Sequence, residues 1–267
     1  MKTGCAILGA IVVAGMLLLS GCIGSEGGGF DVNKVIEAQK NIKQYTFESE
    51  ISYGGAGMGF TMPMNGKVDV ENKKIHINMS MMGQNMEMYL IGNEMYMKQA
   101  GQWIKMTKSD LERDSSGVSG FGDQANQYEK TTEILKSPKT KIDVVGEETV
   151  DGVTCYKVNV VPDVEKLKEQ LGKSAGMTRG MEYLINGSSY TIYVDKTTNF
   201  IKKEDINSTM EMSAQGMKMN IYMQMKFVYK DLNKPVDIQL PEEVRNAKSM
   251  TEMMKEMNAT KTKQLLS

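Results

Sequence analysis

The 267 residues predict an α+β fold: a long-stranded, curved antiparallel sheet, or half-barrel, with helices covering its concave face. Three observations lead there. Apolar and polar residues alternate at period two through most of the chain, which places one kind on each face of a strand. The alternating runs are long, up to the fourteen residues of 217–230, or about 45 Å of strand. Helix-period segments are few and short, at the start, middle and end. A sheet of such length twists, and with one apolar face it wraps around whatever covers that face.

The chain opens with Met1-Lys2, an apolar run from Ala6 to Leu19, and then Leu19-Ser20-Gly21-Cys22. That order predicts a secretory signal. Fourteen apolar residues fall short of the roughly twenty that a spanning helix needs, so the expectation is anchoring rather than spanning. Residues 1–21 are read as the signal, 22–30 as a lipid-bearing flexible tether rich in Gly, and 31–267 as one domain.

Behind an Asp31 cap, Val32, Val35, Ile36, Gln39 and Ile42 recur at helical spacing. Period two then takes over. Tyr45, Phe47, Ile51 and Tyr53 oppose Thr46, Glu48, Glu50 and Ser52. Met58, Phe60, Met62, Met64, Val68 and Val70 follow, then Ile75, Ile77, Met79 and Met81, then Met86, Met88 and Leu90. Gly92-Asn93 is a hairpin signal before Met95 and Met97, and Trp103 and Ile104 lie on the next short strand. These strands form a meander with one wet face.

Residues 107–124 read as a loop, with a weak helix near 124–136. Strands at 141–149 and 153–161 are joined through Asp151-Gly152, a tight-turn signal. Pro162-Asp163 introduces a helix carrying Val164, Leu167 and Leu171 and ending at Gly172, followed by a flexible segment over 172–189. Three strands follow at 190–195, 200–213 and 217–230. In the last, Met217, Met219, Ile221, Met223, Met225, Phe227 and Tyr229 take every odd position. A closing helix is expected with the stripe Val244, Ala247, Met250, Met253, Met254 and Met257.

Composition narrows the function. Lys and Arg number 32 against 33 acids, a net charge of −1, which favours neither nucleic acid nor an anionic surface as a partner. Of three cysteines, Cys5 falls in the signal and Cys22 is the acylation residue, so Cys155 has no partner for a disulfide and reads as a small buried hydrophobe. With one histidine, His76, no His-rich metal site or Ser-His-Asp arrangement is supported. Neither Gly54-Gly55-Ala56-Gly57 nor Gly27-Gly28-Gly29 joins a strand to a helix as a phosphate loop does. The expectation is a non-enzymatic protein without a cofactor. Asn-x-Ser/Thr triplets occur at Asn78, Asn186, Asn207 and Asn258.

The 25 methionines, many paired as Met-x-Met on strands, admit three readings. They fill a core in place of leucine and valine, they line a pliable apolar pocket, or they bind a soft metal such as Cu(I). His76 falls on the opposite strand face from Met79 and Met81, which counts against the metal. The candidate ligand-lining set is Phe60, Met62, Met64, Ile77, Met79, Met81, Met86, Met88, Met95, Met97, Trp103, Met210, Met212, Met217, Met219, Met223 and Met225.

Leu19-Ser20-Gly21-Cys22 resembles the lipobox of prokaryotic lipoproteins, and the Cys-Ile-Gly that follows is similar to archaeal ones. The stretch from Phe227 through Asp231, Asn233, Pro235, Ile238 and Leu240 to Pro241-Glu242-Glu243 resembles the closing strand of the LolA-like carriers and of the mycobacterial LppX and LprG family. With the opening helix, the meander and the inserted helix, the plan of that family covers Asp31 to about Met257. The resemblance implies an extracytoplasmic protein tied to the membrane through lipid on Cys22, with a cavity for acyl chains, whose ligand is a lipid or a lipidated protein. A structural or sensory envelope module with a solid interior is the alternative, and the size of an apolar void separates the two.

Overall fold

The computed structural model describes residues 29–55, 58–81, 83–99, 101–107, 110, 127–174, 182–214, 217–250 and 252. The expected signal over 1–21, Cys22 and most of the tether lie outside the described residues, as do Met253, Met254, Met257 and Asn258.

Helix α1, Val32–Lys40, starts where expected, with the Asp31 carboxylate accepting from the Asn33 N–H. Six strands follow: β1 Gln44–Gly55, β2 Met58–Asp69, β3 Lys74–Met81, β4 Gln84–Ile91, β5 Glu94–Gln99 and β6 Gln102–Thr107. After helix α2, Gln127–Lys136, come β7 Lys141–Val150 and β8 Val153–Val161, then helix α3, Val164–Ser174. Strands β9 Glu182–Asp195, β10 Ile201–Ala214 and β11 Met217–Lys230 are the longest, and β12 is the two-residue Lys248–Ser249. All twelve make one curved, unclosed sheet in the order β12-β6-β5-β4-β3-β2-β1-β11-β10-β9-β8-β7. The pairings are antiparallel except β12 with β6. The half-barrel expected from the sequence is therefore the fold observed.

Register explains the core. Tyr45 faces Val68, Phe47 faces Gly66 and Ile51 faces Met62 between β1 and β2, and the same row continues to Tyr229 and Met225 on β11. Apolar positions thus fall on one surface, the inner face. Gly66 is required there because a Cβ would sit 2.5 Å from the Phe47 ring. Helices α1, α2 and α3 lie on this face and contribute Val35, Ile36, Tyr128, Ile134 and Leu135, with Leu167 packed beside them. Gln39 ties α1 to the β9–β10 turn: its amide donates to Asn199 O and accepts from the Ile201 N–H.

Three expectations need correction. Residues 182–189, read as flexible because of Asn186-Gly187-Ser188-Ser189, are the first half of β9, because pairing with β10 overrides their turn chemistry. Helix α3 runs through Gly172 to Ser174. No single helix carries Val244, Ala247 and Met250. Residues 242–246 form a 3-10 turn, β12 pairs with the sheet edge, and the chain passes from the outer face, where Val244 is buried, to the inner face, against which Met250 packs.

That path also means the meander's outer face is not wholly wet. Tyr89, Tyr96 and Trp103 form a second apolar cluster on it, covered by Ile238 and Val244. Cys155 is buried in a third small cluster with Val150 and Tyr193, and burial pushes its thiol up to about 11, which suits an inert hydrophobe.

Candidate functional site

The inner face has two parts of different chemistry. Under the helices it is aromatic. Phe47 stacks on Phe227 at 4.7 Å between ring centroids, Tyr128 of α2 stacks on Tyr229 at 4.1 Å, and Tyr45 meets Tyr128 edge-on at 5.1 Å. Among them lies Glu204, fully buried. Its carboxylate accepts from the Tyr190 hydroxyl at 2.5 Å, the Tyr229 hydroxyl at 2.8 Å and the Thr131 hydroxyl at 3.0 Å. Burial, and then the charge of Glu204, hold the Tyr45 and Tyr229 hydroxyls well above the ordinary phenol range. Both hydroxyls therefore keep their protons, and that of Tyr229 is held as a donor to Glu204. Sealed in this way, Glu204 joins β9, β10, β11 and α2, and it has no access to a substrate.

Away from the helices the same face is built of methionine. Met64, Met79 and Met86 stand directly opposite one another across β2, β3 and β4, and Ile77, Met88, Met97 and Ile104 continue the next row across β3 to β6. Cross-strand neighbours on one face sit about 5 Å apart at Cβ, so these unbranched side chains form one continuous pliable surface. Tyr53 stacks on Phe60 at 5.2 Å, and Met223, Met225 and Ile206 extend the surface across β11 and β10.

Of the candidate ligand-lining residues, Met62, Met64, Ile77, Met79, Met88, Met95 and Met210 are buried on this face. Met86, Met97, Met223 and Met225 are half-buried, while Phe60 and Met219 are 39% and 46% exposed. The side chains of Met81, Met212 and Met217 lie outside the described residues. Trp103 is not brought together with the rest. It pairs with Lys98, whereas its neighbour Ile104 pairs with Met97, so Trp103 points to the outer face and packs with Ile238 and Val244. The physical reason is parity: on β6, Ile104 and Met106 are the inward pair.

Sequence reasoning missed two residues on the face. Ser49 and Ser208 are buried inner-face serines whose hydroxyls have no hydrogen-bond partner. Ser49 lies opposite Met64 and Phe227, and Ser208 opposite Met223. Their signal was available, since each is a polar residue at an inward position of its strand. An unpartnered hydroxyl inside an apolar surface is the kind of sparse polar group that orients a bound molecule.

Two hollows border these residues. Among the described residues the largest, about 900 Å³, is lined mainly by the outer-face Glu48, Glu50, Asn65, Asn78, Lys98 and Lys226, with Ser49, Met64, Met79 and Met86 contributing, and one of about 560 Å³ is lined by Tyr53, Ser208, Met223 and Tyr222 among others. A smaller one, about 480 Å³, lies between α1 and α2 beside Tyr45 and Tyr128. Among the described residues no group of three His, Cys, Asp or Glu could hold a metal. His76 is on the outer face, as its parity requires, stacked on Tyr89 at 4.2 Å and bonded to Glu87. Burial outweighs Glu87 and lowers its pKa below the usual imidazole value.

Comparison with known proteins gives the fold a context. LprF from Mycobacterium bovis superposes with a TM-score of 0.50 at 11% identity, over 79% of this chain and 94% of that one. The lipoprotein LppX of Mycobacterium tuberculosis aligns with a TM-score of 0.48, also at 11% identity, over 78% of this chain and 96% of that one. At such identity LprF supports a shared fold and nothing finer. No curated protein sequence matches the chain. The model of the family of unknown function DUF6612 matches residues 32–249, from the first helix to the last strand, and the chain belongs to that family.

Proposed function

We propose that the chain is an extracytoplasmic lipoprotein, held to the cell membrane by lipid on Cys22, that binds an apolar ligand on the methionine part of the inner face. The observation that carries this reading is the segregation of that face: flexible thioethers form a continuous surface beyond the helices, interrupted by two unpartnered serine hydroxyls. A core that only had to be filled would gain nothing from a buried, unbonded hydroxyl, which costs about 1–3 kcal/mol. A lipid, or the acyl groups of a lipidated protein, brings both the apolar bulk and the ester oxygens to use them.

On this reading residues 1–21 are removed, 22–30 form the tether and 31–267 form the binding domain. The protein acts without a cofactor, without nucleic acid and without catalysis. A solid-cored interaction module is the second reading, and the lining of the largest hollow, mainly by outer-face residues, favours it.

Native mass spectrometry of the protein extracted under mild conditions separates the two. The carrier reading expects a bound lipid mass above that of the acylated chain, lost or weakened in the Ser49→Ala, Ser208→Ala variant, with folding stability equal or higher. The bare acylated mass alone would overturn it in favour of the module.

A further inference from the structure

Five strands run past their neighbours at the end of the sheet away from the helices. The β2–β3 ladder begins at Met64, leaving Met58–Pro63 beyond it, and the β8–β9 ladder ends at Tyr190, leaving Glu182–Ser189 beyond it. Strands β9, β10, β11, β1 and β2 therefore project together as a tongue of about 20 Å.

The tongue is almost without charge. The sequence from Ile51 to Gly66 contains no Asp, Glu, Lys or Arg. Beyond its root, where Glu50 and Lys226 stand level with Pro63, the charges among the described residues of the tongue are Glu182, Glu211 and Lys218, the last two paired at 2.8 Å. Its exposed side chains include the large apolar or amphipathic Phe60, Met219 and Tyr222, the last 58% exposed, beside the uncharged Thr61, Asn207, Asn220 and Gln224. The opposite end of the sheet is the reverse, with Lys43–Glu71, Lys196–Glu147, Lys230–Glu48 and Lys234–Asp231 pairs around its turns.

From this polarity we infer that the tongue docks on the surface of an electrically neutral lipid bilayer. Lack of charge removes the penalty for entering the headgroup and acyl boundary, and it also removes attraction to anionic lipid. Tyr53 and Tyr222 are suited to that boundary, each with an apolar ring and a polar tip. The methionine surface runs directly onto the tongue through Met62, Met223 and Met225. The inference deepens the carrier reading and rests on it for its biological sense, since the docked end is where an apolar ligand would enter or leave.

The anchor constrains the geometry. Phe30 packs edge-on against Tyr156, which is level with Val194, and β9 runs twelve residues further, about 40 Å, to Glu182. The eight residue steps from Cys22 to Phe30 reach at most about 29 Å. A chain acylated at Cys22 therefore meets its own bilayer with the strands inclined towards the membrane plane.

The test uses the chain from residue 22 onward with Cys22→Ser, which carries no lipid, floated with phosphatidylcholine vesicles in low and in 1 M salt. The expected result is flotation independent of salt, reduced at least tenfold by Thr61→Glu, Asn220→Glu and Tyr222→Glu together. These are exposed outer-face positions outside the ligand surface. Lys73→Glu with Lys234→Glu, at the other end, should leave flotation unchanged. No flotation of the parent chain, equal flotation of the triple variant, or binding only to anionic vesicles and lost in salt would each overturn the inference. Bound lipid is read on the same samples by native mass spectrometry. Tongue-dependent flotation without a lipid mass keeps the docking and sinks the carrier reading; a lipid mass without flotation does the opposite.

Discussion

The two parts of the inner face use the same strands for opposite ends. Beneath the helices, β1, β10 and β11 present Tyr45, Phe47, Glu204, Phe227 and Tyr229, rigid rings beside one carboxylate that accepts from the Tyr190, Tyr229 and Thr131 hydroxyls. Further along the same strands stand Ser49, Tyr53, Ser208, Met223 and Met225, flexible thioethers with hydroxyls left unbonded. Aromatic rings have few rotamers and lock a geometry, whereas methionine has three rotatable bonds and adapts to what it meets. The difference teaches that stability is concentrated at one end of the sheet and adaptability at the other.

Glu204→Ala should break the contrast most sharply. It leaves the Tyr190, Tyr229 and Thr131 hydroxyls buried without their shared acceptor, and a loss of about 3–5 kcal/mol is expected in the urea midpoint. A smaller loss in Glu204→Gln, which keeps an acceptor oxygen, would tie the effect to the hydrogen bonds rather than to volume.

Replacing Met64, Met79, Met86 and Met88 by leucine should sharpen it from the other side. Volume is conserved, so each change costs less than about 1.5 kcal/mol, while the range of lipid masses retained narrows because branched side chains adapt less. If the methionine end loses as much stability as the tyrosine end, the division of labour is wrong.

The smallest effect concerns the outer face. His76 has a lowered pKa in the folded chain, so between that value and the ordinary imidazole pKa the unfolded state binds more protons. The contribution is complete above the unfolded value and is lost as pH falls towards the folded one. Stability should therefore decline on mild acidification in the parent, and His76→Gln should flatten that slope in denaturation measured from pH 7.5 to 5.

Much of the sheet was legible because period two is a local property: in β1, β2 and β11 each residue's face follows from its neighbours two positions away. Trp103 shows the limit. On a six-residue strand with both Trp103 and Ile104 apolar, alternation alone leaves the inward residue open, and only pairing with Lys98 and Met97 settles the parity. Ser49 and Ser208 interrupt the apolar alternation of their strands, and only burial shows that both stand on the inner face.

By itself the sequence determined the half-barrel class, the succession of long strands along the chain and the side on which the methionines lie, since alternation needs no partner to be read. Only the tertiary structure decided that Glu204 closes a tyrosine cluster with Thr131, that residues 182–189 extend β9, and that the segment after Lys230 crosses from the outer face to the inner. Those depend on which strands lie side by side and on burial from elements far apart in the chain, and no local pattern encodes such contacts.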